Sequence, residues 1–237
     1  MQPTRLLLAS LLLASLLLAS CGTGDPVTLD AGALAADAPP AAQRYLPLAT
    51  GNSWTYRVSD PAGGPPEQKT STIEALEDVG GTKAGVIAFR VLTEKLDGST
   101  TSWQEDLGDR VVRHHEIARD LAGAVTSEET YDPAKLRLDE SAAHLVVGAS
   151  WSDVYTEIST DPVTGATTPV TKTEAWSVVA VDESVTVPAG TFSCLRVRRM
   201  GSAMGQSDKT YYFARGVGKV KETGGQTEEL VSSSLLP

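Results

Sequence analysis

Alternation with a period of two, repeated between short turns, restricts the folds open to this chain more than any other feature. Trp54, Tyr56 and Val58 alternate with Ser53, Thr55, Arg57 and Ser59, and Ile87, Phe89 and Val91 alternate with Ala88, Arg90 and Leu92. Successive side chains of a strand point to opposite faces, so this spacing marks half-buried strands. Between the runs stand Asp60-Pro61-Ala62-Gly63-Gly64, Leu96-Asp97-Gly98, Asp161-Pro162-Val163-Thr164-Gly165, Pro188-Ala189-Gly190 and Gly224-Gly225. Their residues supply the fixed or positive φ that tight turns require. Connections this short join antiparallel strands, because a parallel pair needs a long crossover. No segment carries the apolar periodicity of a three-turn amphipathic helix. Ile117 to Lys135 has local helical potential, but Asp132-Pro133 within it makes it read as a loop with one turn of helix.

The strand pattern occurs twice, over 45–116 and 144–223. Gly51-Asn52-Ser53-Trp54 compares with Gly148-Ala149-Ser150-Trp151, each after a run of mainly apolar residues. Asp60-Pro61 and Asp161-Pro162 follow. Lys69 to Ala75 then pairs with Thr171 to Trp176, Phe89-Arg90-Val91 with Leu195-Arg196-Val197, and Trp103 through Val112 with Tyr211 through Val220. Each half supplies about five strands. The expected fold is mainly β: one wide curved antiparallel sheet of two similar halves, forming a half-barrel or open barrel, since a sheet so wide curls or closes. A two-sheet β-sandwich is the alternative. Tyr211 and Phe213 share a face, as do Trp54 and Tyr56, and such aromatics read as filling the concave side. Pro188 and Gly190 predict a hairpin, and Gly216 and Gly218 a bend or bulge in a curved strand.

The first 44 residues are of another kind. Met1 to Arg5 is a short positive region and Leu6 to Ala19 an apolar one, together a secretory signal. The apolar run of about fourteen residues is short of the roughly 20 that span a bilayer. Leu18-Ala19-Ser20-Cys21 resembles the lipobox of bacterial lipoproteins. That resemblance implies cleavage of residues 1–20, acylation of Cys21, and residence in the cell envelope by lipid anchor. Gly22, rather than Asp, after the Cys implies the outer membrane. Residues 21–44 then form the lipidated Cys and a Gly-, Ala-, Asp- and Pro-rich disordered tether, and 45–237 the β domain. Removing 1–20 takes Arg5 from the chain's 20 Lys and Arg, leaving 19 against 30 Asp and Glu. This acidic balance argues against nucleic acid and against electrostatic docking on anionic lipid, so the acyl chains must hold the membrane. With Cys21 lipidated, Cys194 has no disulfide partner and reads as a buried small hydrophobe.

Tyr45-Leu46-Pro47-Leu48, Gly51-Asn52, Trp54 and Tyr56, Val187-Pro188-Ala189-Gly190-Thr191-Phe192, and Tyr211-Tyr212-Phe213-Ala214 with Gly216-Val217-Gly218 resemble phrases of bacterial envelope lipoproteins of unknown function. Their domains resemble LolA/LppX-like half-barrels. The resemblance covers about 45–234 and implies a shape that elsewhere carries lipids or lipidated proteins.

Residues with chemistry are few. His114-His115-Glu116 is the one cluster of metal-ligand types, and His144 has no partner at a recognised spacing; a zinc site needs three or four ligands, so no metal or other cofactor is expected. Ser193 beside Cys194 lacks a nucleophile elbow. Glu105-Asp106 and Asp182-Glu183 sit beside turns as exposed charge. Arg196, Arg198 and Arg199 form the dense basic group, expected to pair with neighbouring acids. The expectation is a non-enzymatic, lipid-anchored envelope protein, binding or carrying an apolar or acylated ligand on its concave face. A structural or protein-interaction module of the envelope is the alternative.

Overall fold

The computed structural model describes residues 43–201 and 208–236; Cys21, the signal segment and nearly all of the expected tether lie outside them. The first six strands are β1 (Ser53–Ser59), β2 (Glu67–Asp78), β3 (Ile87–Lys95), β4 (Gly98–Asp106), β5 (Arg110–Asp120) and β6 (Val125–Asp139). The second six are β7 (Ser150–Thr160), β8 (Thr167–Val187), β9 (Gly190–Gly201), β10 (Lys209–Ala214), β11 (Gly218–Thr223) and β12 (Thr227–Ser234). Each pairs antiparallel with its neighbours in sequence, and β1 also pairs with β12, so the one curved sheet closes into a barrel. A half-barrel would leave two rows of unpaired backbone groups. Closure satisfies both edges at once.

The halves compared in the sequence fall at the same ordinal positions, β1–β5 against β7–β11. Their entries match in backbone detail. Gly51 (φ 95°) and Gly148 (φ 86°) each close a turn. Gly51 N–H donates to Ile73 O (2.7 Å) and Ile73 N–H returns to Asn52 O (2.9 Å); Gly148 N–H donates to Val178 O (2.9 Å) and Val178 N–H returns to Ala149 O (2.9 Å). Each half holds six strands rather than about five. Of the additional ones, β12 follows the second half, and β6 lies where a loop with a helical turn was expected: residues 117–135 complete β5 and build most of β6. The β5–β6 pairing is interrupted by three register shifts, and between Arg113–Lys135 and His115–Thr130 it skips the Asp132-Pro133 region. Proline is tolerated at such irregularities because no ladder N–H is needed there.

The predicted Pro188-Ala189 hairpin forms, with Val187 paired to Gly190. The Gly216–Gly218 segment, in contrast, is the turn joining β10 to β11 rather than a bend inside one strand. Glycine is required at 218: its φ is 103°, and a Cβ would lie 2.9 Å from Trp54 Nε1. That indole donates to Val217 O at 2.5 Å.

One end of the barrel is plugged. Residues 44–48 enter it, held by Glu140, whose Oε2 accepts from Arg44 Nε (3.2 Å) and Tyr45 N–H (2.9 Å). Tyr45 is 1% exposed among Leu138, Trp176, Leu195, Val197 and Phe213. The β8–β9 hairpin folds against the same end: Ala189 N–H donates to Leu230 O (3.0 Å), and Val185 and Val187 pack with Leu230, Trp54 and Cys194. Burial pushes the Cys194 thiol up to about 11, which keeps it protonated and unreactive.

Candidate functional site

Above this plug the lumen remains open, a cavity of about 500 Å³. Its floor is apolar and aromatic. Tyr211 and Phe213 line it with Leu46, Leu48 and Trp54, and behind them Trp176 and Trp151 continue a stacked row, Trp151 to Phe213, with successive centroids 6.3, 5.9 and 5.8 Å apart. The walls are charged. Eight Lys and Arg line the cavity (Lys69, Lys95, Arg113, Lys135, Arg137, Arg199, Lys209, Lys219) against five acids (Glu67, Asp97, Glu116, Glu222, Glu228). The chain as a whole carries 20 Lys and Arg against 30 Asp and Glu. The lumen is therefore electropositive inside an acidic protein, and low-dielectric walls focus such a field.

Register explains why these charges face inward. Trp54 and Tyr56 point to the lumen, and Tyr56 pairs with Lys69, Trp54 with Ser71. Ser71 pairs with Thr93, Thr93 with Thr100, and Ser102 with Glu116, carrying the inward face round to Arg113 and Lys135. On one wall, Lys219 Nζ bridges Glu222 (2.5 Å) and Glu228 (2.6 Å), while Lys69 also binds Glu228 and Lys209 also binds Glu222. Burial opposes the charge on Lys219, but Glu222 and Glu228 outweigh it and hold its pKa above the usual lysine value. Burial likewise opposes charge on Glu222, and Lys219 and Lys209 hold it well below the carboxylate range. Lys69, desolvated and repelled by Lys219, is lowered to about 8. Lys69 and Lys219 lie 5.3 and 5.0 Å from the Tyr56 ring centroid.

On the opposite wall, Glu174, fully buried, is shared by Lys135 (3.4 Å) and Arg199 (3.2 Å), and accepts from the Tyr155 hydroxyl (3.0 Å). Arg113 is paired with Glu116. Glu129 accepts from the Tyr131 hydroxyl (2.6 Å). Burial lowers Lys135 to about 8 against the pull of Glu174. Arg137 lines the cavity between these groups. Among the described residues its side chain makes no ion pair or hydrogen bond, and its Nε is buried without an acceptor.

The residues singled out in the sequence lie mostly elsewhere. His114 contacts Glu105 (2.7 Å), His115 contacts Glu128 (3.0 Å) and stacks on Trp103, and His144 Nδ1 is 2.9 Å from Asp139 while its ring stacks on Trp151. No group of three His, Cys, Asp or Glu able to hold a metal occurs among the described residues. Ser193 donates to Asp182 (3.2 Å). Arg196 pairs with Glu183 (3.0 Å) and Arg198 with Asp208 (3.0 Å), as acids were expected to partner them. Arg199 alone of that trio, with Glu116 of the His-His-Glu cluster, reaches the lumen. The other lumen charges alternate as ordinary polar residues of half-buried strands; the sequence signal they leave is the alternation of Lys135 and Arg137 with Leu136 and Leu138, which does not say which side faces inward. The concave face expected to hold an apolar ligand is apolar at its floor and charged on its walls.

The outer surface carries ion pairs at mid-strand, including Arg57–Glu229 (2.6 Å) and Arg90–Glu74 (3.0 Å). Such a surface is unfit to face lipid tails.

The chain matches no family model, and no curated protein matches it. Two solved structures are similar to it. One is a protein described as exported, with a YmcC-like fold, from Bacteroides fragilis: TM-score 0.44, 11% identity, covering 80% of this chain and 98% of that one. The other is described as a lipoprotein, from Parabacteroides distasonis: TM-score 0.40, 12% identity, with the same coverages of 80% and 98%.

Proposed function

We propose that this is an envelope lipoprotein, anchored through acylated Cys21, that binds a small water-soluble ligand in its barrel lumen without chemical turnover. The observation that carries this reading is the cavity of about 500 Å³ with charged walls and one plugged end. Ligand pockets fall in this size range. An acyl chain would have to displace water from Lys69, Lys135 and Arg137 without replacing their polar contacts, which disfavours it there. The lipobox-like Leu18-Ala19-Ser20-Cys21 and the ion pairs on the outer surface support attachment by lipid rather than by strands.

Native mass spectrometry of the full chain, extracted from its own host in mild detergent, tests the binding. A bound non-lipid small molecule, absent from a Thr93→Trp variant that fills the lumen, is expected. Wild-type protein that carries only phospholipid, or a ligand retained by Thr93→Trp, would sink the reading. For the anchor, Cys21→Ser is expected to abolish palmitate labelling and release the protein from membranes; undiminished labelling would refute it.

A further inference from the structure

We infer that the lumen holds a small anion, a carboxylate or a phosphate, on the guanidinium of Arg137, with Arg113, Lys135 and Arg199 around it. The inference rests on the lumen-binding reading and names the chemistry of the ligand.

Arg137 is the cation whose surroundings the protein leaves incomplete. It lines the cavity, and its Nε is buried without an acceptor. The nearby carboxylates are committed: Glu116 to Arg113, Glu174 to Lys135 and Arg199, and Glu222 to Lys209 and Lys219. Arg113 and Lys135 add like charge beside it. A lysine so placed can shed its proton, but a guanidinium cannot, so Arg137 demands a counter-charge from outside the chain. Its planar fork matches a carboxylate or phosphate in two parallel hydrogen bonds. With Glu174 behind Lys135 and Arg199 included, eight cations face six acids around the cavity, an excess that leaves room for such an anion. The aromatic floor formed by Tyr211, Phe213 and Trp54 would receive the rest of the molecule.

The test uses the full-length protein in non-ionic detergent, dialysed free of small molecules. Its melting temperature and calorimetric affinity are measured with sodium succinate and with sodium phosphate, each against sodium chloride of equal ionic strength. Saturable stabilisation by at least one probe is expected, and which one responds tells carboxylate from phosphate. Arg137→Gln should weaken that binding at least tenfold. Its ligand-free melting temperature should equal or exceed wild type, because an uncompensated buried charge has been removed. Should Arg137→Gln fail to fold, Arg137→Lys, which keeps the charge and loses the fork, should still bind several-fold more weakly. No response to either probe beyond chloride, or full binding by the Arg137 variant, would overturn the inference. The host-derived ligand separates the two claims. Loss in Thr93→Trp with retention in Arg137→Gln leaves lumen binding standing and removes the anion site; retention in both removes lumen binding itself.

Discussion

The two ends of this barrel share the same strands yet solve opposite problems. At the plugged end, Tyr45, Trp176, Leu195 and Val197 are at most 2% exposed and pack in one cluster. There stability comes mainly from apolar area and shape, and the few polar groups, such as Glu140 with Arg44 and the Tyr45 N–H, hold the entering segment in place. Towards the other end the same alternation puts Lys69, Arg113, Lys135 and Lys219 inward, and stability depends on each charge meeting another. Packing tolerates no ligand, whereas a charged wall with a buried guanidinium left over invites one. The difference shows that inward-facing position and apolar character are separate properties: closure of the sheet sets the first, and the residue placed there sets the second.

The sharpest way to break the comparison is to excavate the plug. Trp176→Ala, at the centre of the stacked row, should cost about 3–5 kcal/mol in chemical denaturation, the range for large buried aromatics. A loss below about 1 kcal/mol would show that the floor is not a packed core. Next is Lys219→Met, which leaves Glu222 and Glu228 together without their shared cation. Breaking a buried ion pair costs about 3–5 kcal/mol, and the double variant Lys219→Met with Glu222→Gln should recover part of that loss. A plug-like wall would instead gain stability from the methionine alone.

Alkaline pH should separate the ends without mutation. Lys69 and Lys135 are lowered to about 8 in the folded state against 10.5 for a solvated lysine in the unfolded chain. Between those values the unfolded chain binds more protons, so stability from these two groups rises with pH, by at most about 1.4 kcal/mol per pH unit for each. Lys219 and Cys194 act in the opposite sense: the contribution of Lys219 is lost only above about 10.5, and Cys194, raised from 9.0 to about 11, offsets one of the two lysines above about pH 9. Denaturation midpoints that rise from pH 8 to 10, with the rise reduced in Lys69→Met, would support the assignment; a flat profile would contradict it.

Smaller effects probe the two halves and the outer surface. Gly51→Ala and Gly148→Ala should each cost about 1–2 kcal/mol, because an L side chain is strained at these positive φ values. Gly51→Ala should be the worse, since its Cβ would also meet Leu236 at 2.9 Å while nothing lies near Gly148. Equal losses would mean that backbone strain alone decides both. Arg57→Ala, which removes an exposed pair, should change stability by less than about 1 kcal/mol.

The strands with apolar inward residues were legible from spacing alone: β1 from Trp54, Tyr56 and Val58, and β3 from Phe89 and Val91. So were the paired strand entries at Gly51 and Gly148, because a turn glycine and the tryptophan after it recur together. β6 was not. Ala134, Leu136 and Leu138 do alternate with Lys135 and Arg137, but Asp132-Pro133 breaks the segment into two short pieces, the acids Glu128 and Glu129 read as exposed, and the inward side of the alternation is the charged one. The candidate site was hidden for the same reason. Arg199 was visible as part of a basic trio, but nothing local distinguishes it from Arg196 and Arg198, which face solvent.

By itself the sequence determined a β-rich chain with antiparallel connections and two similar runs of strands, because alternation and turn chemistry are local properties. It also set the acidic balance of the whole. Only the tertiary structure decided that β1 meets β12, that residues 44–48 fill one end, and that Arg137 shares a cavity with Lys69 and Glu222, charges from strands distant in sequence. Such juxtapositions depend on register around a closed sheet, and register is fixed by the sum of all twelve pairings rather than by any one segment.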